Sequence, residues 1–273
     1  MPELDFLALA HRIGQKAMRI VRSGQGTDIV ATNPLGQKTI KADKDLEDLV
    51  IRELKRSEIP CTLTTEEAGL VKFSENPEWR FVLDPLDGSE NYARGIPVYT
   101  LGLCYAPEGG TVSDVAESYI VDLVRGDEFY ARRGKGVYVN GERARPSTVK
   151  SMRDAIISID FNKEILYRQI GAKAQLALMG CRDHRRFGPD LFDMSYTACG
   201  SIDGFVHACG TLSAVHASGV ALLRENCIVT DRCGKPIDVA LDVNAQMSVV
   251  AAGTKELHAE LLTALNTDDL HGF

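Results

Sequence analysis

The chain has 273 residues, which allows one large domain or two closely packed halves and leaves enough mass for a buried core. Its formal net charge of −7 argues against nucleic acid as a partner, because a phosphate backbone binds basic surfaces. No apolar run approaches the roughly 20 residues of a membrane helix, and the first residues lack a signal-peptide pattern. We therefore expect a cytoplasmic protein that binds neither a membrane nor nucleic acid.

The first half of the chain is predicted to contain helices packed on a largely antiparallel sheet. Apolar residues at helical spacing predict a helix over residues 3–23, and Asp43 is expected to cap a second helix that Pro60 ends. Between them, turn-forming residues at 27–41 indicate a hairpin or a loop. Strand-like patterns follow at residues 61–64, 81–83, 98–105, 115–121, 128–132 and 137–139, the last before an Asn-Gly turn.

The second half alternates strands with helices, which is typical of an α/β arrangement. Strands are predicted at residues 155–159, 205–207 and 247–251, and helices at residues 163–179, 189–199, 212–224 and 255–265. The pattern changes near residue 146 without a long linker. We therefore expect an N-terminal α+β half over residues 1–146 and a C-terminal α/β half over residues 147–273, packed together rather than independent.

The stretch Phe81–Asn91, FVLDPLDGSEN, carries the clearest chemical signal. An apolar strand runs into Asp84 and Asp87, and two carboxylates with a carbonyl between them suit a hard divalent cation such as Mg2+. The backbone N–H groups and hydroxyl of Gly88 and Ser89 suit a phosphate oxygen. A metal ion beside a phosphate-binding turn is the arrangement of metal-assisted phosphate-ester hydrolases, although a plain Asp-Gly turn after a strand is the simpler alternative.

The sequence resembles the inositol monophosphatase superfamily, which also includes fructose-1,6-bisphosphatases and phosphoadenosine phosphate phosphatases. DPLDGSEN at residues 84–91 is similar to the family motif DPxDGT/S-x-N, and TEE at residues 65–67 is similar to its G-E-E turn. Weaker matches lie around Asp43 and at residues 134–141, 196–204 and 228–236. The resemblance implies a layered α-β-α-β-α sandwich, and it also implies a homodimer.

The resemblance further implies which residues hold the metal ions. Glu66, Asp84 and the Leu86 carbonyl would hold a first Mg2+, and Asp84 with Asp87 would hold a second; Mn2+ is the alternative cation. Asp43 would lie behind these ligands or on a third metal ion.

The phosphate and the attacking water are assigned by the same resemblance. The Gly88 N–H and Ser89 would bind phosphate, and Ser89 with Glu66 would orient the water. Glu67 is expected to lie behind the metal ligands or to be solvated.

One departure from the family pattern concerns a further metal-binding acid, which relatives carry in a W-D-x-A-A-G element. The equivalent stretch here is TLSAVHASG at residues 211–219, and no Asp or Glu occurs anywhere in Gly204–Arg224. The alignment places the missing acid near Ala214 or Val215. His216 could replace it as a ligand, although imidazole suits zinc or manganese better than Mg2+, which favours a structural role or a substrate contact.

Asp190 and His207 are the predicted substrate contacts in the second half. His207 stands where many relatives carry an acid that contacts the sugar, and it is the other candidate to replace the missing metal-binding acid. Asp190 follows a charged cluster of Arg182, Arg185 and Arg186. This cluster either reaches a second phosphate or an anionic sugar acid, or it is a solvated connection.

We therefore expect an Mg2+-dependent phosphomonoesterase that acts on inositol monophosphate or a related sugar phosphate. The missing acid supports a second hypothesis, a catalytically weakened relative that binds a phosphorylated metabolite or a protein partner. A third keeps the enzyme class but takes fructose 1,6-bisphosphate or a 3′-phosphonucleotide as substrate, and only the arginine cluster supports it.

Overall fold

A computed structural model describes residues 4–23, 26–33, 36, 38–160 and 177–266. Within these ranges a helix pair, an eight-stranded sheet, a second helix pair, a five-stranded sheet and a further helix form successive layers. The predicted α/β fold with layered helices and sheets is thus confirmed. No helix in these ranges combines the length and the apolar character that a membrane span requires.

The outer helix pair consists of α1, Phe6–Arg22, and α2, Lys41–Ser57, which pack on one face of the first sheet. The predicted cap of α2 is wrong, because the helix begins before Asp43. The Asp43 carboxylate lies inside the first turn and accepts the backbone N–H of Ile40 at 2.9 Å. An amide at the start of the helix is thereby satisfied from within it.

A buried carboxylate, Glu53, joins the two outer helices. Lys16 Nζ and Arg12 Nε of α1 donate to it at 2.8 and 2.9 Å, and Arg56 of α2 donates at 3.1 Å. The bond from Lys16 and then that from Arg12 lower the pKa of Glu53 to about 2, against the opposing effect of burial. The ionised carboxylate therefore stabilises the contact between α1 and α2.

Replacing Glu53 with glutamine should lower the free energy of unfolding by about 1 to 2 kcal/mol at neutral pH, because two exposed partners limit the effect. The pKa in the folded state lies below the ordinary 4.5, so this contribution is present above that value and lost as the pH falls towards about 2. Urea unfolding at neutral pH and at about pH 3 measures this contribution. A difference between variant and wild type that stays equal at both pH values would contradict the prediction.

The first sheet has the strand order β10-β9-β8-β7-β6-β5-β3-β4. Only β3 and β5 pair in parallel among its described strands, so the sheet is largely antiparallel as predicted. A separate two-stranded ribbon of β1, Ile29–Thr32, and β2, Lys38–Ile40, precedes it. The strands of the sheet are β3 Cys61–Thr65, β4 Gly69–Lys72, β5 Trp79–Asp87, β6 Thr100–Pro107, β7 Glu117–Asp122, β8 Glu128–Arg132, β9 Gly136–Val139 and β10 Glu142–Arg143.

The second sheet has the order β12-β11-β13-β15-β14. The predicted helix over 212–224 is wrong at its start, because Leu212 and Ser213 belong to a strand and pair with Met247 and Gln246. Most of the predicted helix over 163–179 lies outside the described residues. The strands are β11 Ile156–Ile159, β12 Asp183–Arg185, β13 Gly204–Ser213, β14 Ile228–Thr230 and β15 Gln246–Ala252.

Two helices lie between the sheets, α4, Asp190–Ala198, and α5, Ala217–Asn226. They approach β6 closely at Gly102, where a Cβ atom would lie 2.4 Å from a Leu191 methyl carbon and 2.6 Å from the Ser218 hydroxyl. The short α3, Ser89–Ala93, follows β5, and α6, Lys255–Leu265, covers the far face of the second sheet. The helix α5 contacts strands of both sheets, so the two sheets are not separated by a clear gap between domains. The division of the chain at residue 146 stays a prediction.

Candidate active site

The predicted aspartate pair lies at the end of β5, where the strand has a bulge. Asp84 pairs with Gly102 and Asp87 with Thr100, so three steps on β5 oppose two steps on β6. In a regular strand, residues three apart point to opposite faces, and the extra residue of a bulge removes that difference. Pro85 suits this position because a bulge needs no complete set of ladder hydrogen bonds. The two carboxylates therefore converge.

Glu66 follows β3, the strand that pairs in parallel with β5. Thr65 lies opposite Leu83, so the residue after each, Glu66 and Asp84, stands at the same level, just past the end of β3 and within the last part of β5. Burial, Asp87 and Asp43 raise the pKa of Glu66, whereas His216 lowers it. Glu66 thus shares the electrostatic environment of the aspartates, and its role as a metal ligand stays a prediction.

His216 completes the cluster of ligand atoms at this position. Its Nε2 lies 3.2 Å from Asp84 Oδ2 and 3.9 Å from Asp87 Oδ1, and the three ligand atoms lie within 4.8 Å of one another. A short 3₁₀ helix, Ala214–His216, between β13 and α5 positions the ring. The alignment had placed the missing acid near Ala214 or Val215, but both are fully buried in the apolar core. His216, the residue after Val215, faces Asp84 and Asp87 instead.

The carboxylates at this cluster are held in an unfavourable environment. Asp84 is 1% exposed, and neither of its oxygens accepts a hydrogen bond. Burial and then the charges of Asp87 and Glu66 raise the pKa of Asp84 well above its ordinary value. Burial lowers the pKa of His216, but Asp87 and Asp84 outweigh it and raise that pKa well above the ordinary value. Buried acids that repel one another and have few donors are suited to a cation.

Asp87 is oriented from the other half of the chain. Its Oδ2 accepts the backbone N–H of Leu191, in the first turn of α4, at 2.6 Å. Burial raises the pKa of Asp87, and His216 opposes this. The structure therefore fixes the distance between the end of β5 and the start of α4.

The predicted phosphate-binding residues follow directly. Gly88 has a φ of +100°, and a Cβ atom there would lie 2.7 Å from Pro189 Cγ, so the turn requires glycine. The Ser89 hydroxyl lies 2.7 Å from Asp43 Oδ1 and 2.9 Å from the Leu86 carbonyl oxygen. The hydrogen bond from Ser89 to Asp43 connects α2 to the turn after β5.

Asp43 and Glu67 are acids close to this cluster, since the charge of Asp43 raises the pKa of Asp84 and that of Glu66 raises the pKa of Glu67. Burial raises the pKa of Asp43 to about 6 even though Ser89 and Ile40 donate to it. Burial likewise raises the pKa of Glu67 to about 7, while the Thr39 hydroxyl donates to its carboxylate. Glu67 therefore has a partner on β2 and is not a freely solvated side chain.

Asp190 and His207 form a second polar cluster. His207 Nδ1 lies 3.3 Å from Asp190 Oδ1, and the ligand atoms of Asp160, Asp190 and His207 lie within 4.8 Å of one another. Arg186 donates to Asp160 Oδ1 at 3.3 Å. The charge of Asp190 also raises the pKa of Asp87, so the two clusters interact electrostatically.

The sequence signal for this second cluster was incomplete. Asp160 belongs to no motif, because it is a single acid after a strand, and the parallel pairing of β11 with β13 brings it near His207. Of the arginine cluster, Arg186 contacts Asp160, whereas Arg185 pairs with the exposed Asp183 at 2.7 Å. The role of Arg182 and Arg185 at a second phosphate stays a prediction.

Known proteins resemble this chain over nearly its whole length. The model described as the inositol monophosphatase family matches residues 4–269. The fructose-1,6-bisphosphatase/inositol-1-monophosphatase of Methanothermobacter thermautotrophicus is 28% identical over 267 residues, which cover 94% of each chain. The Nus factor SuhB of Escherichia coli K12 is 31% identical over 235 residues, which cover 84% of this chain and 85% of that one. The crystal structure of the extragenic suppressor protein suhB from Bartonella henselae has a TM-score of 0.80 at 24% identity, covers 96% of each chain and supports the fold alone.

Proposed function

Because the chain belongs to the inositol monophosphatase family, we propose that it is a divalent-cation-dependent phosphomonoesterase that hydrolyses inositol monophosphate or a related sugar phosphate. One observation carries the proposal. The ligand atoms of Asp84, Asp87 and His216 converge within 4.8 Å at the end of β5, directly before the turn of Gly88 and Ser89. A cation position beside a phosphate-sized turn is what metal-assisted ester hydrolysis requires.

Two cation positions near the end of β5 are proposed from the family resemblance. Glu66, Asp84 and the Leu86 carbonyl would hold Mg2+ with oxygen atoms, and the buried Asp84 oxygens, which accept no hydrogen bond and face only the imidazole of His216, supply acceptors for it. Asp84 would also serve the second position with Asp87. Bound cations would activate a water molecule and neutralise charge on the transferring phosphoryl group.

The turn after β5 would bind the phosphate and orient the water. The Gly88 N–H would donate to a phosphate oxygen. With Asp43 ionised, the Ser89 hydroxyl donates to Oδ1 of Asp43, which leaves the Ser89 oxygen free to accept a hydrogen bond from the attacking water. Glu66 would accept a second hydrogen bond from that water, so the chain acts mainly by positioning.

The second cluster would contact the alcohol part of the substrate. Asp190 and His207 are both buried and lie near Asp87, on the side of the site that α4 and β13 provide. Burial opposes the charged forms, but His207 lowers the pKa of Asp190 and Asp190 raises the pKa of His207. An ionised pair of this kind can accept and donate hydrogen bonds to neighbouring hydroxyls of a polyol.

Phosphate release from a substrate panel tests the proposal. The panel contains inositol 1-phosphate, fructose 1,6-bisphosphate and a 3′-phosphonucleotide, each with Mg2+, with Mn2+ and with a chelator. We expect cation-dependent release that is fastest with the inositol phosphate. Turnover that persists in the chelator would rule out the proposed mechanism. A preference for fructose 1,6-bisphosphate or the nucleotide would contradict the proposed substrate class and replace it with the preferred one.

A second candidate is a catalytically weakened relative that binds a phosphorylated metabolite or a protein partner. The absence of any acid in Gly204–Arg224 favours this candidate. Some relatives are named Nus factor SuhB, a name that does not refer to hydrolysis, and this is consistent with a function other than catalysis. Calorimetry separates the candidates, since binding of cation and inositol phosphate without turnover on the panel would support this one. The homodimer remains part of the proposal through the family resemblance, and the cytoplasmic location remains a prediction from the sequence.

A further inference from the structure

The imidazole of His216 directs its Nε2 at the aspartates, and a bound cation would take the place of the proton that the acids favour there. Its Nδ1 lies 3.2 Å from the Ser213 carbonyl oxygen, which can only accept, so Nδ1 carries the hydrogen. A neutral ring held in this way has its acceptor nitrogen at Nε2, the atom that faces Asp84 and Asp87. Metal-binding histidines are typically oriented by such a bond from the other ring nitrogen to a backbone carbonyl.

A separate observation indicates that a ligand is needed at this point. Both Asp84 oxygens are buried and accept no hydrogen bond, although buried carboxylate oxygens normally have donors. Leu191 donates to only one oxygen of Asp87, Oδ2, and the other faces His216. The ligand atoms available between these side chains are therefore those of two carboxylates and one imidazole nitrogen.

This donor set has a different cation preference from an all-oxygen site. Mg2+ favours oxygen ligands in a strict octahedron, whereas imidazole nitrogen suits first-row ions such as Mn2+ and Zn2+. The neighbouring position proposed for Glu66, Asp84 and the Leu86 carbonyl would offer oxygen atoms alone. The two positions therefore differ in chemistry although they share Asp84.

We propose that His216 is a metal ligand that makes the Asp84–Asp87 position selective for a first-row divalent cation such as Mn2+ over Mg2+. The proposal deepens the proposed function, since it concerns a cation of the same site. It assigns the loss of the family's acid to a change of cation rather than to a loss of the position.

Electron paramagnetic resonance of the Mn2+-loaded protein tests the proposal without relying on turnover. Electron spin-echo modulation should detect one imidazole nitrogen coupled directly to bound Mn2+. Excess Mg2+ should displace Mn2+ from the oxygen-only position and leave the nitrogen-coupled ion in place. Absence of Mn2+ binding, or bound Mn2+ without nitrogen coupling, would overturn the proposal.

Variants of His216 supply the second arm. His216→Asp should abolish the nitrogen coupling and should improve competition by Mg2+ against Mn2+ by about tenfold or more. His216→Asn offers a neutral oxygen and replaces that variant if an added carboxylate prevents folding. His184→Asp is the matched control, because His184 is exposed on β12 and should leave both readouts unchanged. An unchanged competition ratio in both His216 variants would refute the assignment.

The result remains separable from the proposed function. Nitrogen-coupled Mn2+ with no phosphate release would support the cation assignment and count against the phosphatase. Phosphate release with Mg2+ alone, unaffected by His216→Asp, would support the phosphatase and count against the cation assignment.

Discussion

Replacing Asp84 with asparagine should lower kcat/KM for phosphate release by at least about a thousandfold, which corresponds to about 4 kcal/mol of transition-state stabilisation. Asp84 is the carboxylate that both proposed cation positions share, so its loss weakens both together. The amide keeps the size of the side chain, which limits the effect on packing. Release of phosphate from inositol 1-phosphate under saturating Mg2+ measures the loss.

Cation-induced stabilisation separates this effect from misfolding. Mg2+ should raise the Tm of the wild type but not that of Asp84→Asn, because a ligand stabilises only the state that binds it. Without cation the variant should be no less stable, since burial and repulsion by Asp87 and Glu66 outweigh the attraction of His216 for the Asp84 carboxylate. Asp154→Asn, an exposed change of the same kind, is the control. Unaltered activity of Asp84→Asn would remove the mechanism.

The position of the acid pair could be predicted from the sequence because the signal is local. An apolar run that ends in two aspartates and a Gly-Ser pair specifies a strand followed by a turn, and the structure has β5 and α3 there. The layered fold followed from the resemblance rather than from periodicity. What the local pattern could not supply was the bulge, which depends on how β6 pairs with β5.

The sequence predicts His216 only as one of several alternatives for the missing acid, because its position depends on strand pairing between distant segments. Alignment by sequence placed the missing acid one or two residues earlier, where the structure has buried apolar side chains. Pairing of Leu212 with Met247 extends β13 up to the 3₁₀ helix, and that extension sets which residue faces the acids. A short apolar stretch is compatible with either strand or helix, so its conformation was decided by β15 and not by its own composition.

The position of Asp43 shows the same limit at a helix end. Asp is a favoured cap residue, and this preference led to the prediction that it begins α2. The ribbon of β1 and β2 leads the chain into the helix earlier, and Asp43 then bonds Ile40 and Ser89 from within the first turn. Residue preference identified the helix but not its first residue.

Replacing Gly88 with alanine should lower the free energy of unfolding by about 3 kcal/mol and kcat/KM by at least about tenfold. The residue has a φ of +100°, and its Cβ would lie 2.7 Å from Pro189 Cγ and 3.0 Å from the Val98 carbonyl oxygen. Relief of the first contact moves Pro189 away, and with it the N-terminus of α4. Leu191 then no longer donates correctly to Asp87. Urea unfolding and phosphate release measure the two losses.

Gly95→Ala is the matched control, because Gly95 also has a positive φ, +69°, but nothing lies within 4 Å of a Cβ there. It should cost only the backbone strain, about 1 kcal/mol, and leave activity intact. The difference between the variants isolates the contact with Pro189. Equal losses of stability would mean that strain alone accounts for Gly88. Full activity in a destabilised Gly88→Ala would mean that the site tolerates movement of α4, and the bond from Leu191 would then not position Asp87 for the reaction.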